Sequence, residues 1–134
     1  MYVSRDGDLV RASAPMQRFT ELKVWQKSHA LVLEIYRLTT NFPQDERFGL
    51  ISQLRRAAAS VPTNVAEGSK RSHNRDYARF LNVAEGSLAE VEYLIMLSRD
   101  LAFVPNDRAQ VLLTEVDEIA RMLHGLRTKV EESA

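Results

Sequence analysis

The feature that most constrains this chain is a proline set inside its clearest helical pattern. In QLRRAAASVPTNVAEGSKR, Gln53 to Arg71, the apolar or small positions are Leu54, Ala58, Val61, Val65 and Gly68. That 4-3-4-3 spacing is one face of an α-helix. Gln53, Arg56, Ser60, Thr63, Glu67 and Lys70 follow the same alternation on the opposite face. Pro62 falls between them, with no N–H to offer Ala58 and a ring that crowds its carbonyl, a cost of roughly 3 kcal/mol in a helix interior. A helix keeps such a residue by bending, and the short polar side chains of Ser60, Thr63 and Asn64 are placed to occupy freed backbone groups. The pattern therefore predicts one long, Pro-kinked helix. Its small residues, Ala57–Ser60, would let a neighbour approach closely.

The rest of the chain reads at the same period. Thr20 is expected to cap a first helix carrying two adjacent stripes. One is Leu22, Trp25, His29, Val32, Tyr36 and Thr39; the other is Val24, Ser28, Leu31, Ile35 and Leu38. Asn41-Phe42-Pro43 ends it, and the proline-bearing helix should begin within Gln44–Phe48. Ser72 and Asn74 compete to cap a third helix, with Tyr77, Leu81, Ala84, Leu88, Val91, Ile95 and Ser98 on one line and Phe80, Leu94, Leu97 and Leu101 beside it. After Val104-Pro105-Asn106-Asp107, a fourth helix places Leu112, Val116, Ile119, Leu123, Leu126 and Val130 on its stripe.

Short connections make successive helices antiparallel, so the expected fold is all-α, an up-down-up-down four-helix bundle over residues 19–134. Residues 1–18 lack periodicity and read as a flexible N-terminal arm. NVAEGS occurs twice, at Asn64–Ser69 and Asn82–Ser87. A shared need for small residues at helix crossings explains it better than a tandem repeat. Apolar stripes on the first and third helices exceed what one bundle seam requires, which predicts a further partner surface.

Several function classes are set aside by composition. The 134 residues include no cysteine, which excludes disulfides, thiolate metal ligands and thiol catalysis and suits a reducing, cytoplasmic setting. No apolar run approaches the ~20 residues of a membrane span. His29, His73 and His124 are scattered, with no Glu-x-x-His pattern of a bundle metal site, so neither metal nor cofactor is expected; His29 reads as a core histidine. Glu67 and Glu85 read as solvated carboxylates, and Trp25, Tyr36, Phe42, Phe48, Tyr77 and Phe80 as bundle core. No constellation meets the requirements of an active site, and the chain is expected not to be an enzyme.

Charge is balanced overall, 18 basic against 18 acidic residues, yet uneven along the chain. From Leu50 to Phe80 the basic residues are Arg55, Arg56, Lys70, Arg71, Arg75 and Arg79, opposed by Glu67 and Asp76 alone. These six are the candidate nucleic-acid-binding residues. With Tyr77 and Phe80 expected in the core, contact would be to phosphates and tolerant of sequence.

Three segments carry a family resemblance: LKVWQKSHALVLEIY, NFPQDERFGLISQLRRAAASVPTNVAEGSKR and RFLNVAEGSLAEVEYLI. They resemble the four-helix-bundle proteins of the ribosomal-RNA intervening-sequence family and their relative, the accessory variability determinant of diversity-generating retroelements. The resemblance implies a bundle that assembles as a barrel-shaped homopentamer. It also implies an RNA or DNA partner, alongside a protein partner, and supplies no catalytic residues. The chain departs from the strongly basic members in being neutral. Two readings stay open: a non-enzymatic oligomer that binds nucleic acid, or an oligomeric scaffold whose partner is another polypeptide.

Overall fold

In the computed structural model the described residues are Tyr2–Val3, Leu9–Val10 and 18–133. Two short strands, β1 (Tyr2–Val3) and β2 (Leu9–Val10), pair antiparallel, with Tyr2 opposite Val10. The remainder of the expected arm lies outside the described residues. Four helices follow: α1 (Lys23–Thr39), α2 (Leu50–Ser69), α3 (Asn74–Asp100) and α4 (Asn106–Glu132). Contacts between neighbours fix their directions. Thr39 meets Arg55, Ser60 meets Ser87, and Glu85 meets Arg127, while Glu34 and Lys27 of α1 meet Arg108 and Glu118 of α4. Rising numbers on one helix face falling numbers on the next, as an up-down-up-down bundle requires.

Helix α2 runs unbroken through Pro62, which is itself buried. The hydroxyl of Thr63 donates to the Ala59 carbonyl at 2.8 Å, and the Asn64 amide donates to the Ser60 carbonyl at 2.8 Å. Polar side chains thus back-bond around the proline, although neither reaches the Ala58 carbonyl. Small residues are used where α2 crosses α3. A Cβ at Gly68 would stand 2.8 Å from the Phe80 Cβ, and the Ser60 and Ser87 hydroxyls bond each other at 2.8 Å.

Every residue of the main α3 stripe is buried, as are Leu112, Val116, Ile119, Leu123 and Val130 of α4. On α1 the second stripe forms the core: Val24, Ser28, Leu31 and Ile35 are buried. Of the first stripe, Leu22 and Thr39 are buried, Trp25 and Val32 half-buried, and His29 and Tyr36 exposed. His29 is therefore no core histidine, and Tyr36 is not core either. Phe48, also expected inside, is 89% exposed on the α1–α2 connection.

Helix starts differ from expectation. Phe19–Glu21 is a 3-10 turn, so Thr20 caps nothing, and α1 begins at Lys23. Gln44–Glu46 is a second such turn, and α2 waits until Leu50, whose N–H is received by the Glu46 carboxylate at 3.3 Å. The cap of α3 is His73 rather than Ser72 or Asn74; its carbonyl accepts from Asp76 and Tyr77.

The two NVAEGS copies do not share a role. Val65 is fully buried while its counterpart Val83 is 49% exposed, and Gly86 has open space where Gly68 has Phe80. The seams also differ in extent. α3 packs extensively against α2 and α4, whereas α1 and α4 touch less, with Lys27–Glu118 at 2.6 Å and Arg108–Glu34 at 3.3 Å spanning their seam.

Candidate nucleic-acid interface

The α2–α3 connection is short, so the last residue pair after α2 and the first turns of α3 share one end of the bundle. Lys70 caps α2, Arg71 follows it, and Arg75 and Arg79 stand one helical turn apart on α3. Lys70 lies over the Phe19 ring, 5.9 Å from its centroid, and the Arg71 guanidinium lies over Phe80 at 4.6 Å. Arg79 donates to Asp76 at 2.7 Å. Among the described residues, Lys70, Arg71 and Arg75 have no carboxylate partner.

Arg55 and Arg56 stand elsewhere. Along α2 the 14 steps from Arg56 to Lys70 span about 21 Å at the helical rise of 1.5 Å per residue. Arg55 is occupied within the chain: its Nε donates to the Thr39 hydroxyl at 2.8 Å and its Nη2 to the Tyr36 carbonyl at 3.3 Å, with the guanidinium over the Tyr36 ring. It closes the C-terminal end of α1, where carbonyls lack helical partners and a cation is favourable. Arg56 lies on a polar hollow between α2 and α3 with Gln53, Ser60, Ser87 and Glu90. Four of the six candidates come together and two do not.

The fold adds an arginine that sequence reasoning missed. Arg127 of α4 shares a hollow of about 410 Å³ with Arg75, Arg79 and Asn82. Its Nε donates to Glu85, and its Nη1 reaches the Glu131 oxygens at 3.1 and 3.2 Å. The hydrogen bond it donates to Glu85 raises the Arg127 guanidinium above the ordinary arginine range. Glu85 is half-buried here and not simply solvated. The i,i+4 pairing of Arg127 with Glu131 was visible in sequence; the link to Glu85 was not.

A second hollow of about 410 Å³ opens at the same end between α1 and α2. Phe19 meets Trp25 edge-on at 5.3 Å, and Trp25 stacks on His29 with centroids 5.1 Å apart and planes 11° from parallel. Pro62 and Val32 line its floor, and the exposed Glu67 stands at its rim.

On the α1–α4 seam the charge is negative. Burial, then a hydrogen bond that the protonated Glu115 carboxyl donates to Glu34 and the Glu34 charge, push Glu115 above its ordinary range. Hydrogen bonding to Lys27 draws Glu118 below its own. Among the described residues no three metal-ligating side chains come together, and no helix is long and apolar enough to cross a membrane.

The sequence model of a family described as 23S rRNA-intervening sequence protein matches residues 20–125. The fold is similar to the crystal structure of a protein of unknown function from the S23 ribosomal protein family of Bacteroides thetaiotaomicron. That similarity has a TM-score of 0.68 at 22% identity and covers 75% of this chain and 94% of the other. No curated protein matches.

Proposed function

Because the chain belongs to the 23S rRNA-intervening sequence protein family, we propose that it is a non-enzymatic, cytoplasmic homo-oligomer that binds nucleic acid through its phosphates. The observation that carries this is the gathering of Lys70, Arg71, Arg75 and Arg79 at one end of the bundle, three of them without a carboxylate partner among the described residues. Cations left free of internal pairing are available to phosphate oxygens; Arg127 stands beside them but is held by Glu85 and Glu131 and adds no free charge. Arg55 has no part in the interface, being committed to α1.

Assembly would multiply the effect. On one side of α3, Tyr93 and Met96 are exposed at 60% and 39%. An apolar face of that kind suits a subunit contact. A closed ring, of five subunits on the family resemblance, would repeat the cationic end around one rim and concentrate a potential that the neutral chain hides. The same exposed face favours a second reading, an oligomeric scaffold for a polypeptide partner.

A mobility-shift titration of the purified protein with RNA and DNA over a range of salt tests the proposal. Three or four phosphates per subunit predict a log–log salt slope of about −3. Replacing Lys70 and Arg71 together should weaken binding alike for unrelated sequences and flatten the slope by about two. An Arg55→Ala variant should bind as the parent does. Absence of binding at low salt and tens of micromolar protein leaves the scaffold reading.

A further inference from the structure

The cleft between α1 and α2 holds groups that phosphate contact alone does not use. Phe19, Trp25 and His29 form a ladder of rings along its wall, and Pro62 closes its floor. At its rim stands the Glu67 carboxylate, with no hydrogen-bond partner among the described residues. Lys70 lies three residues further on, over the Phe19 ring at 5.9 Å. The hollow, about 410 Å³, lies within the roughly 300–1,000 Å³ of small-ligand sites.

We propose that this cleft is a nucleobase site selective for guanine. Aromatic faces beside a cation are what single-stranded nucleic acid uses, the base stacking on the ring and the phosphate meeting the charge. The acid at the rim chooses among bases. A carboxylate only accepts, and its two oxygens can take two parallel N–H donors. Guanine offers two adjacent donors, N1–H and N2–H, on its Watson–Crick edge. Adenine and cytosine each set one amino donor next to a ring-nitrogen acceptor, and uracil sets one N–H between two carbonyls, so each places a lone pair against the carboxylate. Lys70, over the Phe19 ring, would supply the cation for the 5′-phosphate.

The inference rests on the nucleic-acid reading for the source of its base, but it is tested separately. Trp25 is the chain's single tryptophan, so its fluorescence reports this cleft alone. Guanosine 5′-monophosphate should quench it saturably and about tenfold more tightly than the adenosine, cytidine and uridine monophosphates, the size of effect expected where stacking and a paired edge act together. Glu67 is exposed, so Glu67→Gln should fold normally; it should keep the quench and lose most of the guanine preference. Equal quenching by all four nucleotides, no quenching at millimolar guanosine monophosphate, or an unchanged preference in Glu67→Gln would each overturn the proposal. So would a Trp25 shielded from acrylamide in the parent, which would mean that a second copy covers the cleft. If mixed-sequence RNA still shifts while guanosine monophosphate leaves Trp25 untouched, the cleft proposal falls alone; if neither binds, both fall.

Discussion

The two NVAEGS segments offer a matched experiment, because one substitution should act with opposite sign in the same six-residue sequence. At Gly68, an added methyl would lie 2.8 Å from the Phe80 Cβ, 3.0 Å from Tyr77 Cδ1 and 3.3 Å from the Tyr77 carbonyl oxygen. The first and last of these belong to atoms fixed by the α3 backbone, so relief requires α2 and α3 to separate. Overpacking of this kind costs about 1–3 kcal/mol, and the rigid neighbours put Gly68→Ala in the upper part of that range. Alanine's better helix propensity returns about 1 kcal/mol, leaving a net loss of ~1–2 kcal/mol. At Gly86 nothing lies within 4 Å of the added carbon, so Gly86→Ala should keep the whole propensity gain of ~1 kcal/mol. For a chain of this size 1 kcal/mol corresponds to roughly 3–4 °C in Tm, so the variants should melt roughly 6–12 °C apart on either side of the parent. Circular-dichroism melts at several protein concentrations would measure this while separating any contribution from assembly. A Gly68→Ala protein as stable as the parent would show that the α2–α3 crossing yields easily, and the packing argument would be wrong.

Pro62→Ala should fold and lose no stability, because alanine restores an N–H toward Ala58 and is preferred in a helix by about 3 kcal/mol, while the lost ring contacts offset part of that gain. A lower Tm would show that the helix depends on its proline, and a structure of the variant should show a straighter α2. For Glu115 the sign follows from its raised carboxyl. The folded state holds the proton more tightly than the unfolded chain, so its contribution to stability is fully present below the ordinary carboxyl range and is lost as pH rises through the folded value. Glu115→Gln should therefore flatten the fall in urea midpoint on the alkaline side of 4.5; an unchanged pH profile would refute the assignment.

Much of the bundle could be read from periodicity because α3 and α4 carry one dominant apolar line each. On α1 periodicity is ambiguous, since two neighbouring lines are both apolar. The buried line is the one bearing Ser28, whose hydroxyl donates to the Trp25 carbonyl at 3.0 Å and so loses its polar cost. Aromatic size pointed toward the other line, and the cleft went unrecognised for that reason. The caps of α1 and α3 were misplaced because Thr20, Ser72 and Asn74, residues with capping chemistry, stand near those starts without performing it. The cationic site was legible only in its local part. Closeness in sequence joined Arg55 and Arg56 to Lys70, although the helical rise sets them far apart, and it gave no means of finding Arg127, which arrives from another helix.

The seam between α1 and α4 decides how this molecule comes apart. Helices α2, α3 and α4 form a continuous run whose apolar contacts involve sequential neighbours. α1 is joined to α4 less extensively, with charged pairs such as Lys27–Glu118 and Arg108–Glu34 at that seam. Partly exposed ion pairs hold weakly and are screened by salt. Opening at that seam costs less than parting α2 from α3, which makes α1 the first element to exchange its amide protons and the most sensitive to ionic strength. Since α1 supplies one wall of the aromatic cleft and α2 the other, whatever occupies that cleft also clasps the hairpin shut. Occupancy would then register as slowed exchange along α1, far beyond the residues it touches.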